Sequence, residues 1–400
     1  MNVVFIGPFG LQPKGTMSAR ALPLATALAA RGHAVTVLIP PWDDPARAGQ
    51  VWKADGVQVI NVALPTGNLA RLPLLFHILL TRTLVMHTLV LSPDVVHCFK
   101  PKAYAGLSHL VLWWLRRWLS LSLRLVVDAD DWEQAWNAVL PYAAVQKRFF
   151  TWQEQWGLKH ADAVTVASRA LDDLITEQVE IDPVRVFYVP NGYPPASQAH
   201  RRNGHSNVET GLAATGWDKA PTILLYSRFA EFRLDRIVTL VSNVAAQVPA
   251  ARWLIVGRGF QGEERTLAAE LAQAGLDRYV TFAGFSFDEL PAYFEAADVA
   301  VYPYDDTMLN RTKCSVKLID LLAAGIPVVA DAVGQNCEYI QHNQSGCLVP
   351  AEDDAAFSQM VITLLQEPET RQRLGQVARQ SLQEKFAWSS LAETLEKSYH

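Results

Sequence analysis

Short apolar runs alternate with longer amphipathic stretches along most of the chain. Runs typical of buried strands lie at residues 3–6, 34–40, 57–62, 93–99, 124–131, 161–168, 185–192, 222–229, 252–259, 279–285, 298–303 and 326–330. Helical stretches separate them, among others at 18–31, 235–248, 263–274, 287–297, 316–324 and 389–398. Because such alternation builds parallel sheets covered by helices, the pattern predicts an α/β fold with doubly wound parallel sheets.

The alternation stops once, between residues 194 and 221, where the sequence is polar and rich in Gly, Pro and Ser. A chain of 400 residues also exceeds the usual size of one core. We therefore predict Rossmann-like domains at 1–193 and 222–385, a linker or mobile loop at 194–221, and a C-terminal helix at 386–400 that can pack on the first domain. Two such domains facing across a cleft would place ligands at the carboxyl ends of their strands.

Composition narrows the function only slightly. A net charge of −5 gives no general attraction to nucleic acid. The four cysteines lack the CxxC spacing of zinc sites. The start, MNVVFIGPFG, has no basic segment and predicts a first strand instead of a signal peptide. Because every apolar stretch of about 18 residues contains a charge, we predict no transmembrane helix. The pattern of cysteines fits a reduced, cytoplasmic location.

The stretch 312–331, TKCSVKLIDLLAAGIPVVAD, is typical of a turn, a helix and a buried strand. The helix is expected to begin near Ser315, where free backbone N–H groups suit a phosphate. Asp320 lies about one and a half turns into this helix, where its carboxylate can accept from two sugar hydroxyls. The stretch therefore indicates a pocket for a nucleotide sugar.

Arg228 and Arg233 follow the strand predicted at 222–229. Two guanidinium groups at a strand end can bind a diphosphate and stabilise the charge of a leaving group. The alternative is a pair of solvated arginines near Glu231 and Asp235.

These motifs resemble those of GT-B glycosyltransferases, in particular glycosyltransferase family 4 (glycosyl transferases group 1). The loop SRFAEFRLD resembles the family's G-R-x(4)-K loop, with Arg233 at the lysine position. The segment ending in DLLAAGIPVV resembles its E-x(7)-E segment, with Thr312 and Asp320 at the two glutamates. VPNGYP, YVTFAGFSFDELPAYFEAADVAVYP and GQNCEYIQHNQSGCLVP resemble further family segments. The resemblance implies a GT-B fold, a nucleotide-sugar donor, and no bound metal or other cofactor.

The resemblance also implies roles for individual residues. Arg228 and Arg233 would be catalytic, stabilising the leaving diphosphate, while Asp320 would hold the ribose. The residues implied to bind the donor are Gly15, Thr16, Phe285, Thr312, Cys314, Ser315, Val316, Lys317 and Asp320. Thr312, with Asn310 nearby, can hydrogen-bond a sugar hydroxyl but lacks the charge of the family's glutamate.

A D-x-D motif, Asp128 to Asp130, follows a buried run. Taken alone, it is typical of manganese-bound nucleotide sugar in GT-A enzymes, but the predicted phosphate site in the second half favours GT-B. In that fold, Asp128 or Asp130 would bind acceptor hydroxyls or act as a base. Capping of the following helix is the alternative.

Three further residues lie on the predicted acceptor side. His97 aligns with a family histidine at a strand end, although a packed histidine is the expected reading. Lys100 and Lys102 follow it and would suit an anionic acceptor.

Residues 107–123, LSHLVLWWLRRWLSLSL, place three tryptophans around two arginines, and residues 69–91 are similarly apolar. Such a helix can lie in a membrane interface. A buried core helix is the alternative.

The predicted function is transfer of a sugar from a nucleotide-diphosphate donor to a hydroxyl of a lipid-linked or cell-envelope saccharide, with retention of anomeric configuration. The protein would lie at the inner face of the plasma membrane without binding nucleic acid. Two alternatives stay open: a GT-B-fold UDP-sugar epimerase, and a non-catalytic relative that binds nucleotide sugar, which Thr312 in place of a glutamate would favour.

Overall fold

The computed structural model describes residues 1–11, 15–67, 71–194 and 220–400. Unit 1 consists of Met1–Gly192, Thr312–Cys314 and Ala387–His400, and unit 2 of Tyr193–Arg311 and Ser315–Phe386. Most of the linker predicted at 194–221 lies outside the described residues. The segment Thr312–Cys314, which we predict in the second domain, belongs to unit 1.

Unit 1 contains one eight-stranded sheet. Its strands are β1 (Asn2–Ile6), β2 (Ala34–Ile39), β3 (Val51–Ala54), β4 (Val57–Asn61), β5 (Val95–Phe99), β6 (Arg124–Ala129), β7 (Ala163–Val166) and β8 (Val186–Tyr188). They lie in the order β3-β4-β2-β1-β5-β6-β7-β8, and every pair is parallel except β3 with β4.

The helices of unit 1 are α1 (Leu22–Ala30), α2 (Pro73–Val90), α3 (Ala103–Leu119), α4 (Glu133–Val139), α5 (Ala144–His160), α6 (Arg169–Glu177) and α15 (Trp388–Lys397). They cover both faces of the sheet, because alternate side chains of a strand point in opposite directions. Val3 and Phe5 pack in one cluster with Leu28 of α1, whereas Val4 packs in another with Leu84 of α2.

Unit 2 contains a six-stranded, entirely parallel sheet. Its strands are β9 (Thr222–Tyr226), β10 (Arg252–Val256), β11 (Val280–Gly284), β12 (Val299–Tyr302), β13 (Val328–Asp331) and β14 (Cys347–Val349), in the order β11-β10-β9-β12-β13-β14. Its helices are α7 (Leu234–Gln247), α8 (Glu263–Gln273), α9 (Leu290–Ala296), α10 (Met308–Thr312, which ends in unit 1), α11 (Val316–Ala324), α12 (Asn336–Tyr339), α13 (Asp354–Gln366) and α14 (Pro368–Lys385).

The predicted α/β class with parallel sheets is confirmed, and the differences lie at the ends and edges of the sheets. β3 was not predicted, because it is an edge strand whose Val51 and Lys53 are exposed, so it lacks an apolar run. β14 was not predicted either, because a strand of only three residues does not form a recognisable apolar run. The first predicted helix begins with a π-helical turn at Met17–Ala21 and continues as α1.

Among the described residues, no helix is both long enough and apolar enough to cross a bilayer.

Candidate functional site

In unit 2, a group of polar and aromatic side chains gathers around Tyr226, the last residue of β9. Lys317 Nζ lies 5.2 Å from the centre of the Tyr226 ring. Phe285 stacks on the same ring at 6.2 Å with an interplanar angle of 9°, and it is 40% exposed. Burial raises the pKa of Tyr226, and the nearby Asp320 carboxylate raises it further, whereas Arg228 opposes the rise. Three predicted donor-binding residues and the predicted catalytic Arg228 therefore lie around one tyrosine that sequence reasoning missed.

The start of α11 is built to leave backbone donors available. Ser315 is the residue before the helix, but its side chain does not cap it. Instead, the Tyr302 hydroxyl, at the end of β12, donates to Ser315 Oγ and lies 3.1 Å from the Tyr304 hydroxyl. Because no side chain caps this end, the first N–H groups of a nine-residue helix keep their positive partial charge for a ligand. Val316 and Lys317 are the first two residues of the helix.

The loop after β9 is held in shape by buried hydrogen bonds. Ser227 Oγ donates to Glu231 Oε2 at 2.9 Å, and the Ala230 N–H donates to the same oxygen at 3.1 Å. The side-chain amide of Asn310 donates to the Glu231 carbonyl at 2.6 Å and to the Asp305 carbonyl at 2.8 Å. The structure thus gives the Asn310 amide group a role in fixing this loop, in addition to the predicted help with a sugar hydroxyl.

The fixed loop presents Arg228 and Arg233 to solvent, and both side chains are exposed. Arg228 lies 5.8 Å from the Phe260 ring. The Arg233 side chain is 60% exposed and pairs with Asp235 at 3.4 Å, while its backbone N–H donates to Asp305. Within unit 2, therefore, Arg228 belongs to the group around Tyr226, whereas the contacts of Arg233 are with Asp235 and Asp305.

A buried arginine beneath the loop connects three carboxylates. Arg236 donates to both oxygens of Asp331 at 2.8 and 2.9 Å. Its Nε lies 2.5 Å from Asp354, and its Nη1 lies 3.4 Å from Asp305. Asp331 also accepts from the Tyr304 N–H at 2.7 Å. This network fixes the ends of β12 and β13, the two strands between which α11 lies in the sequence.

In unit 1, the carboxyl end of β6 carries a second buried network. Arg20 Nε and Nη2 donate to the two oxygens of Asp128 at 2.8 and 2.6 Å, and Thr165 Oγ1 donates to Asp128 at 2.6 Å. Asp128 is fully buried. Its predicted place on the acceptor side needs correction, because both oxygens are already engaged and no part of the side chain is exposed.

His97 is also buried. Its Nδ1 lies 3.0 Å from the Tyr399 hydroxyl and its Nε2 lies 3.2 Å from Thr165 Oγ1. Burial lowers the pKa of His97 well below its usual range, and the charge of Arg20 lowers it further. The imidazole is therefore neutral and packed, which corrects its assignment to the acceptor side.

Lys100 is enclosed by acids. Its Nζ lies 2.8 Å from Asp130, 2.7 Å from Glu133 and 3.3 Å from Asp131, and Lys102 pairs with Glu133 at 2.9 Å. Burial alone would lower the pKa of Lys100, but the three carboxylates raise it well above its ordinary value. Both lysine charges are thus neutralised within unit 1, so the predicted attraction of an anionic acceptor to Lys100 and Lys102 is not supported.

Asp130 is the acidic residue of this cluster that reaches the loop before α1, which carries the predicted donor residues Gly15 and Thr16. It accepts from Thr16 Oγ1 at 2.5 Å, and Gly15 N–H donates to Ser18 Oγ at 3.0 Å. The rest of that loop, residues 12–14, lies outside the described residues.

Thr312 and Cys314 bind other residues of unit 1 through their backbone carbonyl groups. Ser168 Oγ donates to the Thr312 carbonyl at 2.6 Å, and the Asn191 side-chain amide donates to the Cys314 carbonyl at 2.8 Å. Arg20 Nη1 in turn lies 3.4 Å from Asn191 Oδ1. The buried network of unit 1 therefore fixes the segment directly before the start of α11.

Sequence reasoning missed Arg20, Tyr226, Tyr302 and Arg236. Arg20 had a usable signal, since it stands in an otherwise small and apolar stretch, ALPLATALAA following MSAR, where a charge needs a buried partner. The tyrosines had none, because an aromatic residue at the end of a buried strand is common.

Among the described residues, no group of three or more His, Cys, Asp or Glu side chains is arranged to hold a metal ion.

Two family sequence models match the chain. The family described as "Glycosyl transferase 4-like domain" matches residues 15–192, and "Glycosyl transferases group 1" matches residues 220–367. Together they cover most of the chain and correspond to the two sheets.

Curated relatives support the same family. The chain is 29% identical to a GDP-mannose-dependent alpha-(1-6)-phosphatidylinositol monomannoside mannosyltransferase of Mycobacterium tuberculosis over 179 residues. The matched residues cover 44% of this chain and 46% of the relative. The alignment thus spans about half of that relative. A phosphatidyl-myo-inositol mannosyltransferase of Mycobacterium leprae is 25% identical over 411 residues, covering 100% of this chain and 96% of the relative.

A solved structure shows the same fold. The Anabaena protein Alr3699/HepE, solved in complex with UDP and glucose, superposes with a TM-score of 0.68 at 15% identity and covers 100% of this chain and 99% of its own. The fold is GT-B, as predicted. The chain belongs to the group 1, family 4-like glycosyltransferases.

Proposed function

We propose that this glycosyltransferase moves a sugar from a nucleoside-diphosphate donor to a hydroxyl of a lipid-linked or cell-envelope saccharide. The observation that carries the proposal is the group around Tyr226 in unit 2. There Lys317, from the first turn of α11, and Arg228, from the loop after β9, lie near one ring together with the buried Asp320.

The diphosphate would bind at the start of α11. Uncapped N–H groups, the positive end of the helix dipole and the Lys317 ammonium group provide donors and charge of the right sign. Arg228 adds a guanidinium group that can bind a phosphate through two hydrogen bonds. As the bond to the sugar breaks, negative charge grows on the diphosphate, so the same groups bind the transition state more strongly than the ground state. Arg233, exposed on the same loop, is proposed to join them.

The nucleoside would bind beside the diphosphate. Asp320 offers a carboxylate that can accept from two ribose hydroxyls. Phe285 presents a 40% exposed ring, already parallel to Tyr226, on which a nucleobase can stack. We therefore assign Asp320 to the ribose and Phe285 to the base.

The relatives differ in the nucleotide that their names give. The M. tuberculosis relative is named for GDP-mannose, whereas the Anabaena structure contains UDP and glucose. Both fit a general nucleoside-diphosphate site. The names of both mycobacterial relatives include a phosphatidylinositol, which supports a lipid-linked acceptor here.

The acceptor side is proposed on unit 1. Asp130 and Thr16 are joined by a 2.5 Å hydrogen bond, and Asp130 can accept one further hydrogen bond from an acceptor hydroxyl. Because the surrounding lysines are paired with Asp130, Asp131 and Glu133, a neutral hydroxyl fits this environment better than a phosphate. Retention of anomeric configuration and independence of metal are expected for the family and are part of the proposal.

The first test is a thermal-shift screen with UDP-, GDP-, ADP- and CDP-sugars. A ligand present at about 100 times its Kd should stabilise the protein by about 2.7 kcal/mol. If no nucleotide sugar shifts the melting temperature and none is turned over, the donor assignment fails.

The second test measures product formation with the best donor in EDTA, with and without a saccharide acceptor. Acceptor-dependent transfer in EDTA supports the proposal. An epimerised sugar without acceptor would show the UDP-sugar epimerase alternative, and strict dependence on manganese would contradict a metal-free reaction.

Arginine variants test the diphosphate site. R228A/R233A should lower kcat/KM by at least about 10-fold, since each charge-assisted hydrogen bond contributes about 1.5–3 kcal/mol. R278A removes an exposed arginine elsewhere in unit 2 and is the matched control. Unchanged turnover in the double variant would refute the assignment.

A further inference from the structure

Three neighbouring helices of unit 1 expose an unusual number of large apolar side chains. α2 packs against α3, and α3 packs against α5. On α2, the exposed residues recur at every fourth position, which is one stripe of a helix: Leu74 (72% exposed), Ile78 (53%), Arg82, Met86 (47%) and Val90 (79%).

α3 and α5 extend this exposed surface with aromatic rings in direct contact. Trp118, 76% exposed, contacts Trp114 at 5.8 Å between ring centres, and Trp114 contacts Trp113 at 5.0 Å. Trp113 meets Trp156 of α5 at 5.6 Å. From there the rings continue through Trp152 to Phe149, at 6.4 and 5.8 Å. The aromatic surface is therefore continuous from one helix to the next.

Part of the stretch predicted at 107–123 faces the other way. Ser108, His109 and Leu112 are fully buried, whereas Trp114 and Trp118 are exposed. The alternative of a buried core helix thus describes one side of α3, while the other side is exposed. We call the exposed side of α2, α3 and α5, defined by Leu74, Ile78, Trp114, Trp118, Phe149 and Trp152, the aromatic face.

The charges on these three helices are almost entirely of one sign. The helices contain six lysines and arginines, at positions 82, 116, 117, 147, 148 and 159, and a single acidic residue, Glu154. Glu154 is fully buried and accepts from the Glu133 N–H at 2.7 Å, so it does not reach the surface. The whole chain has a net charge of −5, so this concentration of positive charge is local.

The positive charges are also available to a partner. Arg82, Arg117 and Arg148 are exposed, and none of them forms a salt bridge within the described part of the chain. Arg117 lies 5.5 Å from the Trp113 ring, so cation and aromatic ring occupy the same patch. Apolar surface of this extent marks an interaction site in most proteins.

We infer that the aromatic face docks on the surface of an anionic lipid bilayer, with its tryptophans at the depth of the headgroups and its arginines on lipid phosphates. Tryptophan and arginine on the exposed side of a helix suit that interface. A second copy of the chain fits less well, because a two-fold interface would bring these unpaired positive charges against each other. The inference extends the membrane contact predicted at 107–123 to three helices and does not depend on the proposed reaction.

The test is co-sedimentation of the full chain with vesicles of phosphatidylcholine alone and of equal parts phosphatidylcholine and phosphatidylglycerol. We expect binding to the anionic vesicles and much weaker binding to the neutral ones. Raising NaCl to about 1 M, where the Debye length is about 3 Å, should weaken binding to the anionic vesicles.

Two sets of variants locate the contact. W114S/W118S removes two exposed rings, and R117E/R148E reverses two exposed charges. Each double variant should weaken vesicle binding by at least about 10-fold. For the charge variant, this follows because each basic residue near an anionic surface contributes about fivefold to binding. V184S, at a residue that is 74% exposed elsewhere in unit 1, and K53E are the matched controls and should bind like the wild type.

Because all the substituted positions are exposed, the variants should melt at the temperature of the wild type. If one double variant misfolds, the other tests the inference independently. Absence of wild-type binding to anionic vesicles would overturn the inference, as would equal loss in variants and controls. A vesicle-free dimer that W114S/W118S dissociates would also overturn it, by showing that the face binds a second copy.

Discussion

Replacing Asp128 by Asn separates a structural role of this residue from a chemical one. Asp128 and Arg20 are 0% and 1% exposed, and two hydrogen bonds of 2.8 and 2.6 Å join them. Burial lowers the pKa of Arg20, but the adjacent Asp128 carboxylate more than offsets this and raises it. D128N therefore leaves a buried guanidinium charge without its hydrogen-bonded carboxylate, since this arginine cannot release its proton.

Breaking a buried ion pair in this way costs about 3–5 kcal/mol. In a domain of about 150–250 residues, each kcal/mol lowers Tm by about 2–4 °C, so D128N should lower Tm by about 6–20 °C. The double variant R20M/D128N should lose less stability than the sum of R20M and D128N, by at least about 2 kcal/mol, because it leaves no unpaired charge.

The chain offers a matched control on its surface. Arg311 and Asp306 form an equally bidentate pair, with N–O distances of 2.5 and 2.7 Å, but their side chains are 54% and 38% exposed. D306N should therefore cost no more than about 1 kcal/mol. Calorimetric melting gives all four values. If D128N kept the wild-type Tm while turnover of the folded enzyme disappeared, Asp128 would have a chemical role and our correction would be refuted.

Three other changes test other parts of the structure. E396Q removes the pairs that Glu396 forms with Arg31 and His33. The Arg31 hydrogen bonds lower the pKa of Glu396 to about 2, so these pairs stabilise the fold above the unfolded pKa of about 4.5 and stop doing so as the pH falls toward 2. The Tm difference between wild type and E396Q at neutral pH should therefore vanish in acid, and a difference that persisted there would contradict the assignment. In G257A, the new Cβ would lie 1.8 Å from the Ser227 carbonyl oxygen, so the loop after β9 must move. At Gly275, φ is also positive (+68°, against +148° at Gly257), but the new Cβ meets nothing within 4 Å, so G257A should be destabilised by at least about 1 kcal/mol more than G275A. Equal melting temperatures would show that the loop tolerates the shift. D320N should weaken binding of a ribonucleoside diphosphate by at least about 10-fold, as measured by calorimetry. Binding of the 2′,3′-dideoxy analogue should not change, because the analogue lacks the hydroxyls that Asp320 would bind. Equal effects on both ligands would contradict the assignment of Asp320 to the ribose.

The sequence was sufficient for those parts of the fold that depend on periodicity. Buried parallel strands such as β1 and β9 are continuous apolar runs. The helix predicted at 316–324 is α11, and it is followed by Gly325 with φ of +76°, a conformation that glycine adopts readily. β3 and β14 were missed because one is an exposed edge and the other has three residues, so neither forms an apolar run. The placement of Thr312–Cys314 in unit 1 depends on Asn191 and Ser168, more than 120 positions away, which no local pattern encodes.

The candidate site was predictable where backbone geometry decides it. The positions of the start of α11 and of the loop after β9 can be read from the places where the sequence predicts a helix to begin and a strand to end. The acceptor side was less predictable, because His97, Lys100 and Asp128 look available in the sequence and are engaged in the structure by Tyr399, by three acids and by Arg20. Burial and long-range pairing decide the chemistry of a polar residue, and both depend on tertiary structure.

We propose above all that unit 2 recognises a diphosphate through Arg228, Arg233 and the start of α11. The most direct measurement is calorimetric titration of wild type and R228A/R233A with a nucleoside diphosphate and with the monophosphate of the same base. We predict that the wild type prefers the diphosphate by at least about 10-fold, which corresponds to one charge-assisted hydrogen bond or more. The double variant should keep only the smaller part of this preference that the start of α11 provides, while still binding the monophosphate. The same preference in both proteins would contradict the account.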